Sequence, residues 1–442
     1  MKSMTGLMGI GLLLLLMLLL DFPVAYAMFL SGFIGMCFII PLDSALTVVF
    51  REIWEGFSSY GLTVIPLFLL MGNVAFYSGI SQRLFESANV WFGGRKGGLC
   101  VATILACAGF AAICGSNAAT AAAMSRMILP EMKKHDYNPV FATGSVACGS
   151  TLGVVIPPSV VLVVYGLYVG QSVAKLFIAS IIPGLILTGF LILALYFASL
   201  ISKSPISRGL EITEKQVSLL EKLKKSQGVV EALILFLFVM IGLYMGWFTP
   251  TEGGAAGAFG AIVLGLIRRT FKWNELKMAT LDTLKGSCMV LMLVIGATVF
   301  GRFLTMTRIP YFVADYVSEL ALPSWAILGM ILIVYIIGGA LMDALAFLLI
   351  TLPVFYPLVT SLGYDPIWYG VVITIVTTMG AVTPPVGINA YIVAGFSESL
   401  GLGGLRVVFR GVIGFLPAYI FTVILLIIWP EIGLWLTKYM KI

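Results

Sequence analysis

The sequence of 442 residues is 60% hydrophobic and only 10% charged, with a formal net charge of +6 and a mean hydropathy of +1.08. A soluble protein of this size could not bury so much apolar surface. Apolar runs of the ~17–25 residues needed to cross the hydrocarbon follow one another along the chain, which predicts an all-α polytopic membrane protein. With so few charges, the basic residues are interpreted as topology signals, and no nucleic-acid binding is expected.

The first apolar run is typical either of a cleaved signal peptide or of a spanning helix. Lys2, the leucines up to Leu20 and the sequence AYA at 25–27 are features of a signal peptide with its cleavage site. A second apolar run, from Phe22 to Pro41, follows at once without a soluble domain after it. The sequence therefore favours a first spanning helix that is kept.

Two pairs of adjacent prolines interrupt long apolar stretches. Pro157-Pro158 and Pro384-Pro385 each lie where the pattern is otherwise helical, although a proline there removes a backbone donor and clashes with the preceding turn. Upstream of each pair, residues 115–130 and 338–353 form a small-residue segment that begins with glycine and ends with proline. This recurrence predicts two repeats, each with three apolar stretches, a hairpin-like pair, a Pro-Pro-broken stretch and a last helix. The predicted stretches are 5–20, 22–41, 61–79, 98–130, 138–170 and 176–200, then 229–248, 250–267, 280–303, 323–356, 366–396 and 408–430.

The linker between the repeats sets the predicted orientation. Residues 203–227 carry six basic and three acidic residues, so the positive-inside rule places them in the cytoplasm. If each hairpin re-enters the membrane instead of crossing it, each repeat crosses an odd number of times and the second repeat is inverted. Inverted repeats with helices broken near the midplane are typical of secondary transporters.

The loops agree with this inversion. The loop after the first hairpin, KKHDYN at 133–138, is basic, whereas the corresponding loop TSLGYDP at 360–366 contains neither Lys nor Arg. Residues 268–277 carry four basic residues, whereas the matching loop of the first repeat, residues 42–60, carries one basic and three acidic residues. An amphipathic stretch also precedes each hairpin, and we expect both to lie along the membrane interface, with an ordinary connecting loop as the alternative. The first has Leu84, Ala88, Trp91 and Phe92 beside Arg83, Glu86 and Arg95, and the second runs over 309–320 with Asp315, Ser318 and Glu319 on its polar side.

A broken helix in a membrane leaves carbonyl oxygens and N–H groups that must be paired or must face a cavity or an ion. Carbonyl oxygens are hard ligands suited to Na⁺, and the N-terminus of a half-helix attracts an anion. The alternative is that Pro, Gly and Ser only kink these helices and pack them closely. The small and polar residues concerned are Gly149, Ser150, Thr151, Gly153 and Ser159 at the first break, Thr377, Thr378, Gly380, Thr383, Gly387 and Asn389 at the second, and Gly115, Ser116, Asn117, Thr120, Gly338, Gly339 and Asp343 at the hairpin tips.

Ionisable residues within the apolar stretches are further candidates. Asp343 is predicted either to contact an ion or substrate or to stabilise its hairpin by a hydrogen bond. Glu252, in the sequence FTPTEGG, is predicted to cap a helix rather than to bind a ligand. Arg126 and Arg302 are predicted to lie near the surface or to snorkel rather than to hold substrate. The six cysteines are predicted to be buried free thiols.

Five segments together resemble the large membrane subunit (DctM-like) of tripartite ATP-independent periplasmic (TRAP) transporters, a family of the ion transporter superfamily. Each motif is weak alone, but their order over nearly the whole chain is specific. They are GSNAATAAAMSRMILPEM (115–132), GVVIPPSVVLVVYG (153–166), SVAKLFIASIIPG (172–184), FTPTEGGAAGAFGA (248–261) and LLITLPVFYPLVTSLGYDPIWYGVVITIVTTMGAVTPPVGINAY (348–391).

The resemblance implies a transporter rather than an enzyme: Na⁺-coupled uptake of an organic acid anion across the bacterial inner membrane by an elevator movement. Segments 98–170 and 322–400 would form the moving transport domain. Segments 1–97, 171–228, 229–321 and 401–442 would form the scaffold and its arms, with the linker cytoplasmic and the N-terminus periplasmic. A periplasmic binding protein (DctP-like) would deliver the anion, and a separate small membrane subunit (DctQ-like) would widen the scaffold in the lipid bilayer.

The resemblance also implies two Na⁺ sites with the anion between the two hairpin tips. The first Na⁺ site would comprise Ser116, Asn117, Gly149, Gly153, Ile156 and Pro157. The second would comprise Gly339, Asp343, Gly380, Thr383 and Pro384. The substrate would contact Ser116, Thr151, Ser159, Asp343, Thr383 and Asn389. The first tip reads Ser-Asn-Ala where some relatives in the superfamily have Ser-Asn-Thr, and the second tip lacks this triplet.

Two other functions compete with this one. A stand-alone carboxylate transporter or a cation/proton antiporter of the same superfamily would need neither partner. An intramembrane serine hydrolase would use Ser116 or Ser159, but it needs a base. The only histidine, His135, lies in a polar loop, and no lysine lies within the apolar stretch near either serine.

Overall fold

The computed structural model describes residues 2–94, 97–202, 205–206, 222, 225–313 and 322–440. Most of the predicted cytoplasmic linker lies outside these residues, as do Arg95 of the first arm and the part of the second arm that includes Asp315 and Glu319. Every regular element within the described ranges is helical. Eight of these helices are long and apolar enough to cross a membrane, which confirms the prediction of an all-α polytopic membrane protein.

The helices of the first repeat follow the predicted order. The predicted hairpin becomes α6 and α7, and the Pro-Pro-broken stretch becomes α8, the single turn α9 and α10. Their bounds are α1 (Lys2–Leu18), α2 (Val24–Cys37), α3 (Leu42–Ser58), α4 (Val64–Tyr77), α5 (Ile80–Phe92), α6 (Gly98–Cys114), α7 (Asn117–Lys134), α8 (Pro139–Ser150), α9 (Leu152–Val155), α10 (Val160–Val169) and α11 (Val173–Ser202).

The second repeat has the same succession of a hairpin, a broken helix and a last helix. Here α15 and α16 form the hairpin, α17 and α18 form the broken helix, and α19 and α20 meet at a bend of 42°. The bounds are α12 (Gln227–Tyr244), α13 (Pro250–Ile267), α14 (Trp273–Thr307), α15 (Ser324–Leu341), α16 (Ala344–Ser361), α17 (Pro366–Gly380), α18 (Ile388–Ser399), α19 (Leu405–Ile413), α20 (Leu416–Ile428) and α21 (Glu431–Leu434).

The segment 42–60, which the sequence predicts to be a loop, is mostly helical. Helix α3 buries Ala45, Val49 and Glu52 on one face and exposes large apolar residues on the other, including Phe50 and Trp54. The loop prediction is wrong because the charged residues lower the average hydropathy of the segment, although its apolar residues recur at helical spacing. The helix is amphipathic rather than uniformly apolar.

The first predicted arm is the helix α5, which buries Leu84 and Ala88 against its neighbours. A buried carboxylate fastens this arm to two other helices. Glu231 of α12 accepts hydrogen bonds from Arg83 Nε of α5 at 2.9 Å and from Arg268 Nε, directly after α13, at 2.7 Å. The arm is therefore tied to the helices that begin the second repeat.

The helices pack in two groups. Helix α14 packs on α2 and α4, and α4 packs on α13, whereas the two hairpins and the two broken helices pack together in a second group. Helices α11 and α20 pack mainly against each other and against α17 of the second group, and α19 packs on α8. The scaffold and transport boundaries predicted from the sequence concern which segments move, and they stay predictions.

Candidate ion and anion site

The first hairpin tip lies directly against the first helix break. Helix α6 ends at Cys114, and Gly115 turns the chain with a φ of 69°. The carbonyl oxygen of Gly115 accepts a hydrogen bond from Val160 N at 3.3 Å. A Cβ atom on Gly153 would lie 2.7 Å from the carbonyl oxygen of Ser116, so this close approach requires glycine.

The second tip makes the corresponding contact with the second break. The carbonyl oxygen of Ala340 accepts hydrogen bonds from Val386 N at 3.2 Å and Gly387 N at 3.0 Å. A Cβ atom on Gly339 would lie 2.5 Å from the carbonyl oxygen of Thr377, and one on Gly380 would lie 2.7 Å from the carbonyl carbon of Gly339. In both repeats, the tip of a hairpin thus contacts the middle of the neighbouring broken helix.

Both breaks leave carbonyl oxygens that accept no hydrogen bond from the described residues. Among the hydrogen bonds between described residues, none has the carbonyl oxygen of Ile156, Pro157, Thr383 or Pro384 as its acceptor. Carbonyl oxygens without donors in the interior of a membrane protein are costly unless water or a cation faces them. The two Pro-Pro bonds are cis.

A buried amide oxygen at the first tip is also without a donor. Asn117 is the first residue of α7 and is 8% exposed, and its Oδ1 atom is buried without a hydrogen-bond partner in the described structure. Since buried side-chain oxygens are nearly always paired, this atom has the character expected of a ligand for a cation. The preceding residue, Ser116, caps α7 by accepting a hydrogen bond from Ala119 N at 3.4 Å.

The second break is more open than the first. Pro157 and Pro158 are buried, whereas Pro384 and Pro385 are exposed. Thr383 at this break is half-buried, and its hydroxyl donates to the carbonyl oxygen of Met379 at 2.6 Å, which leaves its lone pairs as acceptors. The carbonyl groups of the second break therefore border accessible space.

The carboxylate of Asp343 is a helix cap. It is half-buried, and its Oδ1 atom accepts a hydrogen bond from Leu345 N at 2.9 Å at the start of α16. This is the hairpin-stabilising bond that the sequence leaves open as one of two roles. The bond uses one carboxylate oxygen, so it is compatible with a contact between the other oxygen and a cation.

The other predicted residues divide between contacts within the site and contacts elsewhere. Asn389 Nδ2 donates to Ser150 Oγ at 3.2 Å, which joins the second broken helix to the first. Ser159 caps α10 by accepting from Leu162 N at 3.3 Å. The hydroxyl of Thr151 instead pairs with that of Tyr419 at 2.7 Å, and Gly149 packs against α6, where a Cβ atom on it would lie 3.1 Å from the Sγ atom of Cys107.

Sequence reasoning missed Tyr419. This residue is fully buried, and its hydroxyl contacts both Thr151 and the carbonyl oxygen of Cys148, the latter at 3.2 Å. A single tyrosine in the apolar helix α20 gives no signal in the sequence that would single it out, since its partners come from α8.

The charged residues placed outside the site by the sequence lie as predicted. Glu252 and Thr249 form a reciprocal capping box at the start of α13, with Glu252 Oε2 accepting from Thr249 N at 2.8 Å. The exposed Arg126 lies over the ring of Phe396 at 5.8 Å. The side chain of Arg302 is 55% exposed and pairs with Glu52 of α3 at 2.6 Å.

The comparison with known families identifies the family of this chain. The family described as the tripartite ATP-independent periplasmic transporter, DctM component, matches residues 11–432. The chain belongs to the DctM family. Its two helix breaks and two hairpin tips, one of each in each repeat, are therefore features of a member of a transporter family.

Several named relatives of this DctM protein differ in their substrates. The C4-dicarboxylate TRAP transporter large permease protein DctM of Pseudomonas aeruginosa is 35% identical over 82% of this chain and 83% of its own length. The isethionate TRAP transporter permease protein DctMQ of Oleidesulfovibrio alaskensis is 33% identical over 81% of this chain and 55% of its own length. The sialic acid TRAP transporter large permease protein SiaM of Vibrio cholerae is 28% identical over 94% of this chain and 95% of its own length.

A solved structure shares the fold of this DctM protein. The YdaH transporter of Alcanivorax borkumensis superposes with a TM-score of 0.61 and covers 89% of each chain, at 14% sequence identity. At this identity, the likeness concerns the fold alone.

Proposed function

We propose that this DctM protein is the large membrane subunit of a TRAP transporter that takes up an organic acid anion by Na⁺ symport. The observation that carries the proposal is the pair of tip-to-break contacts, each beside carbonyl oxygens that lack a donor among the described residues. The relatives named for C4-dicarboxylate, isethionate and sialic acid support an organic acid anion as the substrate class.

The first Na⁺ site in this proposal lies between the first tip and the first break. Asn117 Oδ1 supplies the buried side-chain oxygen without a partner, and the carbonyl oxygens of Ile156 and Pro157 supply hard ligands without donors. Ser116 and Gly153 bring the two segments together, because a side chain on Gly153 would separate them. Gly149 contributes through its packing against α6 rather than through a contact with the tip.

The second Na⁺ site lies between the second tip and the second break. Gly339 and Gly380 set the close approach, Thr383 offers its hydroxyl and carbonyl oxygens, and Pro384 offers a carbonyl oxygen that borders open space. The carboxylate of Asp343, which also caps α16, supplies the negative charge that a site for a cation favours.

The anion is proposed to bind between the two tips, where several helices begin. The N-termini of α7 and α16 carry the positive end of the helix dipole, and Ser116, Ser159, Thr383 and Asn389 place hydroxyl or amide groups near the breaks. The carboxylate of Asp343 would repel an anion, so its contact with substrate is proposed to run through the bound Na⁺. Thr151 is proposed to act through the position of α8, since Tyr419 occupies its hydroxyl.

The transport movement is proposed to be an elevator in which the group containing both hairpins and both broken helices moves past the scaffold. The two repeats are proposed to be inverted, with the linker cytoplasmic and the N-terminus periplasmic in a bacterial inner membrane. A separate DctQ-like subunit and a DctP-like periplasmic binding protein complete the proposed complex.

Uptake into proteoliposomes under an imposed Na⁺ gradient tests the proposal. We expect accumulation of the anion to require the gradient, the small subunit and the binding protein together. Strong uptake by the large subunit alone would favour the stand-alone carboxylate transporter, and uptake driven only by a pH gradient would favour proton coupling.

A further inference from the structure

A deep apolar groove lies outside the candidate ion and anion site. It has a volume of about 920 Å³ and runs between α11 and α20 on one side and α8 and α19 on the other. Apolar side chains form its walls, among them Phe141, Phe197 and Ile413. Phe197 and Ile413 are largely exposed, so the groove opens sideways onto the surface that faces the lipid.

The length of the groove corresponds to one leaflet of a bilayer. Along α11 it extends from Phe190 to Ile201, a rise of about 16 Å in an α-helix, against ~15 Å for half of the hydrocarbon thickness. The rings of Phe190 and Phe421 meet at 6.4 Å and line the end of the groove that is further from Asn138 and Arg410 along α11 and α20. The groove is therefore long enough to hold an acyl chain.

The open end of the groove carries a positive charge. Arg410 lines this end, is exposed and has no hydrogen-bond or ion-pair partner among the described residues. Asn138 lies at the same end. Its Oδ1 atom caps α8 by accepting from Val140 N at 3.0 Å and its backbone N donates to the carbonyl oxygen of Ile206 at 2.9 Å, while no described acceptor takes a hydrogen bond from its side-chain Nδ2 atom. A planar guanidinium beside an amide donor matches a phosphate group in charge and geometry.

We propose that this groove binds an anionic phospholipid, with an acyl chain between α11 and α20 and the phosphate on Arg410. The apolar walls exclude the transported anion, and the sideways opening admits a molecule from the bilayer. Asn138, the last residue of the loop 133–138, lines this end. The charge pattern assigns this loop to the cytoplasm, so the lipid comes from the inner leaflet. The bound lipid would lie between two pairs of helices, α8 with α19 and α11 with α20. Gly144 and Gly411 bring α8 and α19 into close contact at this point.

The test is the dissociation constant of phosphatidylglycerol for the full-length chain, measured by native mass spectrometry in detergent after removal of bound lipid. Arg410→Gln removes the proposed phosphate contact, and we expect it to weaken binding by about tenfold, as for the loss of one charge-assisted hydrogen bond. Arg406→Gln is the matched control, because Arg406 is exposed on the same helix one turn away and does not line the groove. Phosphatidylcholine and inorganic phosphate are measured in parallel, and both are expected to bind weakly.

A second pair of variants tests the apolar slot. Ala198→Phe fills the groove and should also weaken phosphatidylglycerol binding about tenfold, whereas Leu200→Phe, on the exposed side of α11 outside the groove, should leave it unchanged. Equal losses in Arg406→Gln and Arg410→Gln would overturn the proposal, since the attraction would then be general to basic residues. Unchanged phosphatidylglycerol binding in Arg410→Gln, or in Ala198→Phe, would also overturn it.

Discussion

Asn389 in the second repeat donates a hydrogen bond from Nδ2 to the Oγ atom of Ser150 in the first repeat, over 3.2 Å, with both side chains buried. Ser150 in turn donates to the carbonyl oxygen of Ala147 at 2.7 Å. Each residue lies at the edge of the break in its own broken helix, so one polar contact joins the two breaks across the pair of repeats.

The bond between Asn389 and Ser150 should appear as a coupling energy. In a double-mutant cycle of Asn389→Ala and Ser150→Ala, we expect a coupling of about 0.6 kcal/mol and at most ~1.7 kcal/mol, the range for interhelical hydrogen bonds in membranes. Reversible unfolding in mixed micelles measures it. The pair Asn389→Ala and Ser180→Ala is the control, because the hydroxyl of Ser180 bonds within its own helix; equal coupling in both cycles would contradict the direct bond.

Asn117 should affect the Na⁺ dependence of uptake. Removing one oxygen ligand in Asn117→Ala is expected to raise the Na⁺ concentration for half-maximal uptake by about tenfold, equivalent to ~1.4 kcal/mol, whereas Asn117→Asp keeps an oxygen and should keep the affinity. Ser125→Ala is the control, since its hydroxyl is also buried and without a partner in the described structure but lies about 12 Å further along α7. A Na⁺ activation curve unchanged by Asn117→Ala would remove this residue from the ion site.

A single isosteric substitution at Asp343 can distinguish its role as a helix cap from its role as a negative charge. Asn caps helices about as well as Asp, so Asp343→Asn should keep the free energy of unfolding within about 0.5 kcal/mol while it lowers the apparent Na⁺ affinity. Thermal unfolding and Na⁺-dependent uptake measure the two effects on one preparation. If Asp343→Asn transports with an unaltered Na⁺ curve, the carboxylate is only a helix cap.

Long apolar runs were sufficient to predict most helices, because a membrane span needs a long uniform run that few other structures require. The two breaks and the two tips were also predictable, since Pro-Pro pairs and small residues act through the local backbone. Helix α3 was not, because its charged residues resemble a loop in average hydropathy and only its packing, with Ala45 and Val49 buried, distinguishes it.

Contacts between distant parts of the chain could not be predicted from the sequence. The free oxygen of Asn117 and the bond between Asn389 and Ser150 depend on how the two repeats pack, which no local pattern encodes. For the same reason, Thr151 was predicted as a substrate contact from its position beside the break, although its side chain points to Tyr419 in α20.

A substitution of Gly153 tests whether the first hairpin tip must contact the first helix break. In Gly153→Ala, the added Cβ would lie 2.7 Å from the carbonyl oxygen of Ser116 and 2.8 Å from Thr120 Oγ1, which forces tip and break apart and should destabilise the fold by about 1–3 kcal/mol. Uptake should also fall, because the proposed Na⁺ ligands on the tip and on the break would move apart. Gly189→Ala in α11 is the matched control, because nothing lies within 4 Å of the added atom; equal loss in both variants would argue against a specific contact.

Inversion of the repeats predicts that corresponding loops face opposite sides of the membrane. Lys134→Cys, at the end of the first hairpin, and Ser361→Cys, at the end of the second, place a thiol at two exposed positions in a background with the six natural cysteines replaced. An impermeant maleimide added to spheroplasts should label Ser361→Cys and not Lys134→Cys, and inside-out vesicles should give the reverse. Retained uptake in the background protein controls for its fold. Labelling of both positions from the same side would mean that the repeats are parallel rather than inverted.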